Sequence, residues 1–255
     1  MKAAVLVLDG AFDSGLSAVL DVLHSANALS GQLAGARPPR FDIRTVGVRR
    51  LVRTGLGHRV DTEGVAEAED ADILVVPALM ERRPETLVDL VGSTAHRVAR
   101  RVLAEARERR TPLATSCTGT FLLAESGVLD GLTATTSWWL APVFRERYRR
   151  VTVDESRMVT TSDGVTTAGA AFGHLDLALA IVRMRSPHSP TSSGATSWWT
   201  TGPRRPPTRS RAPSPGTTRW SPRSSSGYGP GSASRCRSPR PPATSASANA
   251  PCSAP

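Results

Sequence analysis

The sequence predicts an α/β protein: a mostly parallel sheet with helices on both faces, then a tail that does not fold. Three observations carry this. Apolar runs of strand length recur along the first 185 residues, as expected for strands buried on both faces. Stretches with helical spacing of apolar residues lie between them, supplying the crossovers that parallel strands require. Beyond about residue 186 both patterns stop, and with them every Asp, Glu and Lys.

In chain order, residues 3–8 form the first strand, ended by Asp9 and Gly10. Residues 14–28 form a helix with Leu16, Val19, Leu20, Leu23 and Asn27 along one face. Asp13 or Ser14 can cap it. Residues 41–48 are a second strand. Residues 51–61 carry turn glycines, Gly55 and Gly57, and read as a hairpin-like excursion. Residues 72–76 are a third strand stopped by Pro77, and 86–91 a short helix. Residues 93–110 form a helix with Val98, Val102 and Ala106 inward. Its arginines are interleaved with Glu105 and Glu108, which marks a solvated face. Residues 112–116 are a strand. Phe121, Leu122 and Leu123 then sit on a helix that stops at Gly127. Residues 138–149 are expected to be helical, with Trp139, Val143 and Phe144 inward. Short strands at 151–154 and 158–161 follow, with an Asp163-Gly164 turn before Val165. Residues 171–184 are apolar nearly all round and predict a buried helix.

The formal net charge is +10. Residues 186–255 hold nine arginines and no acidic residue, so the first part is close to neutral. A basic balance that belongs to the tail alone does not make the folded part a nucleic-acid binder. The three cysteines, Cys117, Cys236 and Cys252, form neither a disulfide framework nor a metal-ligand cluster. No metal and no cofactor is expected. Sparse cysteine, no signal peptide and no stretch of membrane-spanning length fit a cytoplasmic protein without a membrane partner.

The chemistry concentrates at Cys117. It falls at the turn between a strand and a helix, where the first helical N–H groups lack partners. The positive helix end favours the reactive thiolate. The N–H groups of Thr118 and Gly119 can hold an oxyanion or a carboxylate. The plain alternative is a buried structural cysteine, and both readings stand at this point. In open parallel sheets the site lies at the carboxyl ends of the strands. That brings residues 9–13, 77–80 and 117–119 around one crevice.

Several stretches together carry a resemblance. They are Leu6-Val7-Leu8-Asp9-Gly10, Asp13-Ser14-Gly15-Leu16 with Val19-Leu20-Asp21-Val22-Leu23, Ser116-Cys117-Thr118-Gly119, Leu129-Asp130-Gly131-Leu132-Thr133-Ala134-Thr135-Thr136, and Thr167-Ala168-Gly169-Ala170 with Leu175-Asp176-Leu177-Ala178-Leu179. Over nearly all of residues 1–185 the chain resembles the ThiJ/PfpI domain, also called class I glutamine-amidotransferase-like. It most resembles the version that opens GlxA-type regulators of the AraC family. The resemblance implies a flavodoxin-like three-layer sandwich, a homodimer, and a small-molecule ligand, often an amino acid or amine derivative. In full-length relatives it also implies DNA binding by a C-terminal pair of helix-turn-helix units. Enzymes of the superfamily pair the turn cysteine with a carboxylate. The matching position here is Gly15, and Asp13 lies near enough in sequence to substitute. Regulators often carry His where this chain has Ser137. No His is placed by sequence as a base for Cys117: His174 reads as a core or helix residue, and His24, His58 and His96 as surface residues.

Residues 186–255 cannot supply the expected DNA-binding helices. Ser, Pro, Arg, Gly, Thr and Ala dominate, and such a segment cannot offset the entropy of ordering, so it is expected to be disordered. Ser-Trp-Trp-Thr-Thr at 197–201 has a simple encoding, TCG-TGG-TGG-ACG-ACG. Read one base earlier, this gives Val-Val-Asp-Asp. A frame lost near residues 185–187 therefore accounts for the tail. A basic arm binding phosphates is the competing reading.

Two functions follow. The first is a metabolite-sensing domain of an AraC-type regulator, spanning 1–185 and cut off before its DNA-binding part. Its ligand sits beside Cys117, Thr118 and Gly119, near Asp13, Ala78 and Ser137. The alternative is a cysteine enzyme of hydrolase, hydratase or glyoxalase type with Cys117 as nucleophile and Asp13 as its partner. With no base identified for Cys117, the balance falls toward binding.

Overall fold

The computed structural model describes residues 1–30, 40–170 and 172–185. The strands are β1 (Lys2–Leu6), β2 (Asp42–Gly47), β3 (Leu51–Arg53), β4 (Arg59–Asp61), β5 (Glu63–Gly64), β6 (Ile73–Val76), β7 (Leu113–Ser116), β8 (Thr133–Ala134), β9 (Thr152–Val153), β10 (Val159–Ser162) and β11 (Val165–Ala168). The helices are α1 (Asp13–Leu29), α2 (Pro84–Gly92), α3 (Arg97–Glu108), α4 (Gly119–Glu125), α5 (Ala141–Arg147) and α6 (Gly173–Arg185). Seven strands form one sheet in the order β10-β11-β7-β6-β1-β2-β5, parallel except for β10 against β11.

Side chains alternate across each strand, so the two faces bury different residues. Ala3, Val5, Ile73 and Val75 pack under α1 and α6 through Leu16, Val19, Leu23, Leu177 and Ile181. Ala4, Leu6, Leu74 and Val76 pack under α2, α3, α4 and α5 through Leu87, Leu103, Phe121 and Phe144. Each Val, Leu, Ile or Phe among them, fully buried, contributes about 1.5–3 kcal/mol. This is the expected three-layer sandwich, with a core on each side of the sheet.

Local chemistry explains the joints. Gly127 (φ +77) ends α4: its N–H bonds the Ala124 carbonyl, and the Val128 N–H reaches back to Leu123. That is a Schellman closure, which needs the left-handed residue glycine supplies. Asp163 and Gly164 both have positive φ and turn β10 into β11, as the twist of a two-residue hairpin demands. Asn27, on the inward edge of α1, is half-buried because its amide bonds both backbone groups of Phe41.

Four expectations need correction. The helix expected from residue 138 begins at Ala141, with Pro142 in its first turn, where a missing N–H costs nothing. Trp138 is left exposed. In α3 the inward residues are Ala99, Val102, Leu103 and Ala106, and Val98 is only half-buried. α6 is not buried all round: Leu175 and Met184 face outward, and Phe172 is exposed before the helix starts. His96 is buried, because the 3-10 turn Thr94–His96 rolls it inward. The expected tail, 186–255, lies outside the described residues. Among those residues, no helix is long and apolar enough to cross a membrane.

Candidate functional site

From β1 the chain crosses to β2 on one side, and from β6 to β7 on the other. The connections diverge between the carboxyl ends of β1 and β6, the usual place for a crevice in an open parallel sheet. Backbone bonds draw the loops there together. The Phe12 N–H donates to the Ala78 carbonyl at 2.7 Å, and the Met80 N–H to Gly10 at 2.7 Å. The Thr118 hydroxyl donates to the Leu79 carbonyl and accepts from the Leu79 N–H, each at 2.8 Å. The turn between β3 and β4 joins them, with the Gly55 N–H on Ala11 at 2.8 Å.

Cys117 follows β7 with φ +54, a left-handed conformation that costs a non-glycine residue about 1–3 kcal/mol. Its surroundings hold it there. Its N–H donates to Ala168 at 2.8 Å, and its carbonyl accepts the Thr136 hydroxyl at 2.8 Å. The sharp turn leads directly into α4. Gly119 opens that helix against β7: a Cβ there would collide with the Thr115 hydroxyl, which is itself fixed to the Val76 carbonyl. Ala78 is buried beside the turn, and its carbonyl is taken by Phe12.

The sulfur is buried and accepts a hydrogen bond from the Ser137 hydroxyl at 2.9 Å. Burial pushes the Cys117 thiol up; the Ser137 hydroxyl and the Thr118 N–H pull it back only in part. The thiolate expected from the helix end is therefore not favoured. Desolvation disfavours the charged form of a buried thiol.

Asp13 does not cap α1. It is the first helical residue, and the cap position, Phe12, has no side-chain bond. Its carboxylate instead accepts the Thr54 hydroxyl at 2.5 Å, the Leu56 N–H at 3.0 Å and Nδ1 of His58 at 2.6 Å. Burial alone would raise its pKa, but these three donors outweigh it and hold the carboxyl below its ordinary value. Asp13 thus clamps the β3–β4 turn.

The DJ-1/PfpI family matches residues 1–184. The chain belongs to this family. Several solved structures share its fold. An AraC family transcriptional regulator from Pseudomonas putida has a TM-score of 0.55 at 20% identity, covering 72% of this chain and 91% of the other. DJ-1beta from Drosophila melanogaster has a TM-score of 0.57 at 16% identity, over 73% and 91%. DJ-1 from Schizosaccharomyces pombe has 0.55 at 16%, over 73% and 92%. At these identities the likeness is one of fold. No match is found among curated proteins.

In this DJ-1/PfpI domain the residue-15 position has an occupant of a different kind. The imidazole of His174, carried by α6, lies against Gly15, and a side chain begun there would fall on its Cδ2–Nε2 edge. His174 is 2% exposed. Its Nδ1 lies 3.0 Å from the Ser116 hydroxyl, and its ring meets Phe12 edge-on at 5.4 Å. Nε2 has no partner. Burial pushes the His174 pKa down to about 4. Sequence reasoning placed His174 in the core but found neither this contact nor the Asp13–His58 pair, because both join segments far apart in the chain. A groove of about 390 Å³ lies at the amino end of β7, lined by Arg107, Glu108, Arg110, Thr111, Asp163 and Gly164. That is the end of the strand away from Cys117, and Arg107 is already tied to Asp163 there.

Proposed function

We propose that residues 1–185 are the small-metabolite-sensing domain of an AraC-type transcriptional regulator, with the ligand in the crevice beside Cys117. The observation that carries this is the state of the sulfur. A buried, protonated thiol held by a serine hydroxyl is a poor nucleophile. Among the described residues, no His or carboxylate bonds it. The strained turn still presents Thr118 and Gly119 toward the carboxyl end of β7, which suits holding a polar ligand group. The fold shared with the Pseudomonas putida regulator fits the same reading. Ligand candidates are amino acids and amine derivatives. A homodimer is part of the proposal, and the exposed Leu175 and Met184 of α6 offer apolar surface for it. The composition of 186–255 is unlike that of DNA-binding helices, and the proposal includes no operator binding by this chain.

Thermal-shift screening against amino acids, amines and aldehydes tests the reading. Saturable stabilisation that survives Cys117→Ser supports it. A specific gel shift at physiological salt overturns the operator statement. The second reading, a cysteine enzyme, draws on the positive φ at Cys117, since strain of this kind gathers at active sites. It requires turnover abolished by Cys117→Ala and fast alkylation of the thiol.

A further inference from the structure

The groove of about 390 Å³ at the amino end of β7 is a cavity that the sensor reading leaves without a use. Its volume falls in the range of small-molecule sites. Two of its walls are turns whose left-handed residues carry a β-carbon. Arg110 (φ +57) follows the end of α3, and Asp163 (φ +42) joins β10 to β11. The Arg110 N–H bonds the Arg107 carbonyl at 3.0 Å, and the Thr111 N–H reaches back to Ala106 at 2.9 Å. This is the Schellman closure again, with arginine in the place that Gly127 fills at the end of α4. Glycine takes that conformation without steric cost, and arginine does not. Strain of this kind gathers where a side chain is needed for a ligand.

The groove presents both signs of charge. Arg107 is committed to its wall: the guanidinium donates to the Asp163 carbonyl at 2.6 Å and to Oδ2 at 2.5 Å. Oδ1 of Asp163 stays open. Arg110 and Glu108 are exposed, and among the described residues neither has an ion-pair partner. α3 also ends here, and the carboxyl end of a 12-residue helix favours a cation. One guanidinium is thus free for an anion, while Glu108, Oδ1 of Asp163 and the helix end are free for a cation. A lone anion meets the carboxylates, and a lone cation meets Arg110. A ligand with one charge of each sign satisfies both.

We propose that this groove binds a small zwitterion of amino-acid or dipeptide size, its carboxylate on Arg110 and its ammonium between Glu108 and Asp163. The site is separate from the crevice beside Cys117 and stands without the sensor reading. A guanidinium takes a carboxylate through two parallel hydrogen bonds, which fixes orientation as well as charge. The strain at Arg110 then has a purpose, since glycine would relax the turn but leave the carboxylate without its partner.

The experiment uses the full chain, labelled with 15N and titrated at pH 7.5 with glycylglycine. N-acetylglycine, which keeps only the carboxylate, and glycinamide, which keeps only the ammonium, are compared at equal ionic strength. The expected result is a saturable shift of the Thr111 and Gly164 amides with glycylglycine, and binding weaker by about tenfold for each single-charge probe, as for the loss of one charged hydrogen bond. Arg110→Gly separates function from folding. It should raise the urea midpoint, because the turn relaxes, and weaken glycylglycine by about tenfold. Arg110→Lys, which keeps the charge, should retain part of the binding, and Glu108→Gln should weaken it. No saturable shift, equal responses to the three probes, or unchanged binding in Arg110→Gly overturns the proposal. Binding that ignores Arg110→Gly but is lost in Cys117→Ser puts the dipeptide in the crevice, which sinks this site and leaves the sensor reading standing.

Discussion

Acid should weaken this fold through His174, and the size of the effect follows from its burial. The unfolded chain takes up a proton on this histidine near pH 6.5; the folded protein resists until about pH 4. Between those values the unfolded state binds more protons, so stability falls as pH falls. The loss begins near 6.5, grows down to about 4, and then levels off. The full gap corresponds to about 3.4 kcal/mol, of which about 2 kcal/mol is lost between pH 7.5 and pH 5. Carboxylates titrate in the same range, and His96, also lowered by burial, adds in the same direction. The comparison must therefore be between proteins that differ only at 174. Urea unfolding of the parent chain and of His174→Phe at the two pH values gives that difference. The parent should lose about 2 kcal/mol more than the variant. A gap between the two proteins that is the same at both pH values would refute the claim that this imidazole stays neutral in the folded state.

Three further outcomes follow from the site. Ser137→Ala removes the hydroxyl that partly counters burial of the Cys117 thiol, so alkylation by iodoacetamide should slow further across pH 7.5–9.5; faster alkylation would mean Ser137 shields rather than polarises the sulfur. Gly119→Ala drives a Cβ into the Thr115 hydroxyl and should cost about 1–3 kcal/mol in urea unfolding, with part regained in the Gly119→Ala, Thr115→Ala double variant. Asp13→Asn weakens the clamp on Thr54, Leu56 and His58 and should destabilise by about 1–3 kcal/mol, with amide exchange rising first between residues 54 and 58.

The sheet was legible because burial on both faces writes itself as runs such as residues 3–8 and 72–76, and Gly127 and the Asp163-Gly164 pair announce their turns by composition. The meeting of the loops after β1, β6 and β7 was legible too, since parallel strands bring their carboxyl ends to one side. Trp138 misled because an aromatic pair ahead of a helix looks like its first turn, whereas the chain waits for Pro142 to start α5. The two-residue β8 is too short to leave a pattern. His58 and His174 were missed for another reason. Each acts through a partner more than forty residues away, Asp13 in one case and Ser116 in the other. Spacing within a helix or strand carries no trace of such pairs.

Those two pairings also bear on what Cys117 can do. A cysteine at a strained turn becomes a nucleophile when a neighbouring base takes its proton. Each polar group that could serve here is engaged elsewhere. Asp13 holds the β3–β4 turn with both oxygens. His174 is turned to Ser116 and to α1, and its low pKa makes it a weak base. Ser137 reaches the sulfur but donates to it rather than accepting its proton. The turn nevertheless persists at a cost of about 1–3 kcal/mol, supported by Ala168 and Thr136. Strain kept without an activated thiol is accounted for if its use lies in the backbone it displays. Among the described residues the tight turn leaves the Gly119 N–H without an acceptor at the carboxyl end of β7, which suits the proposed ligand whether or not the sulfur reacts.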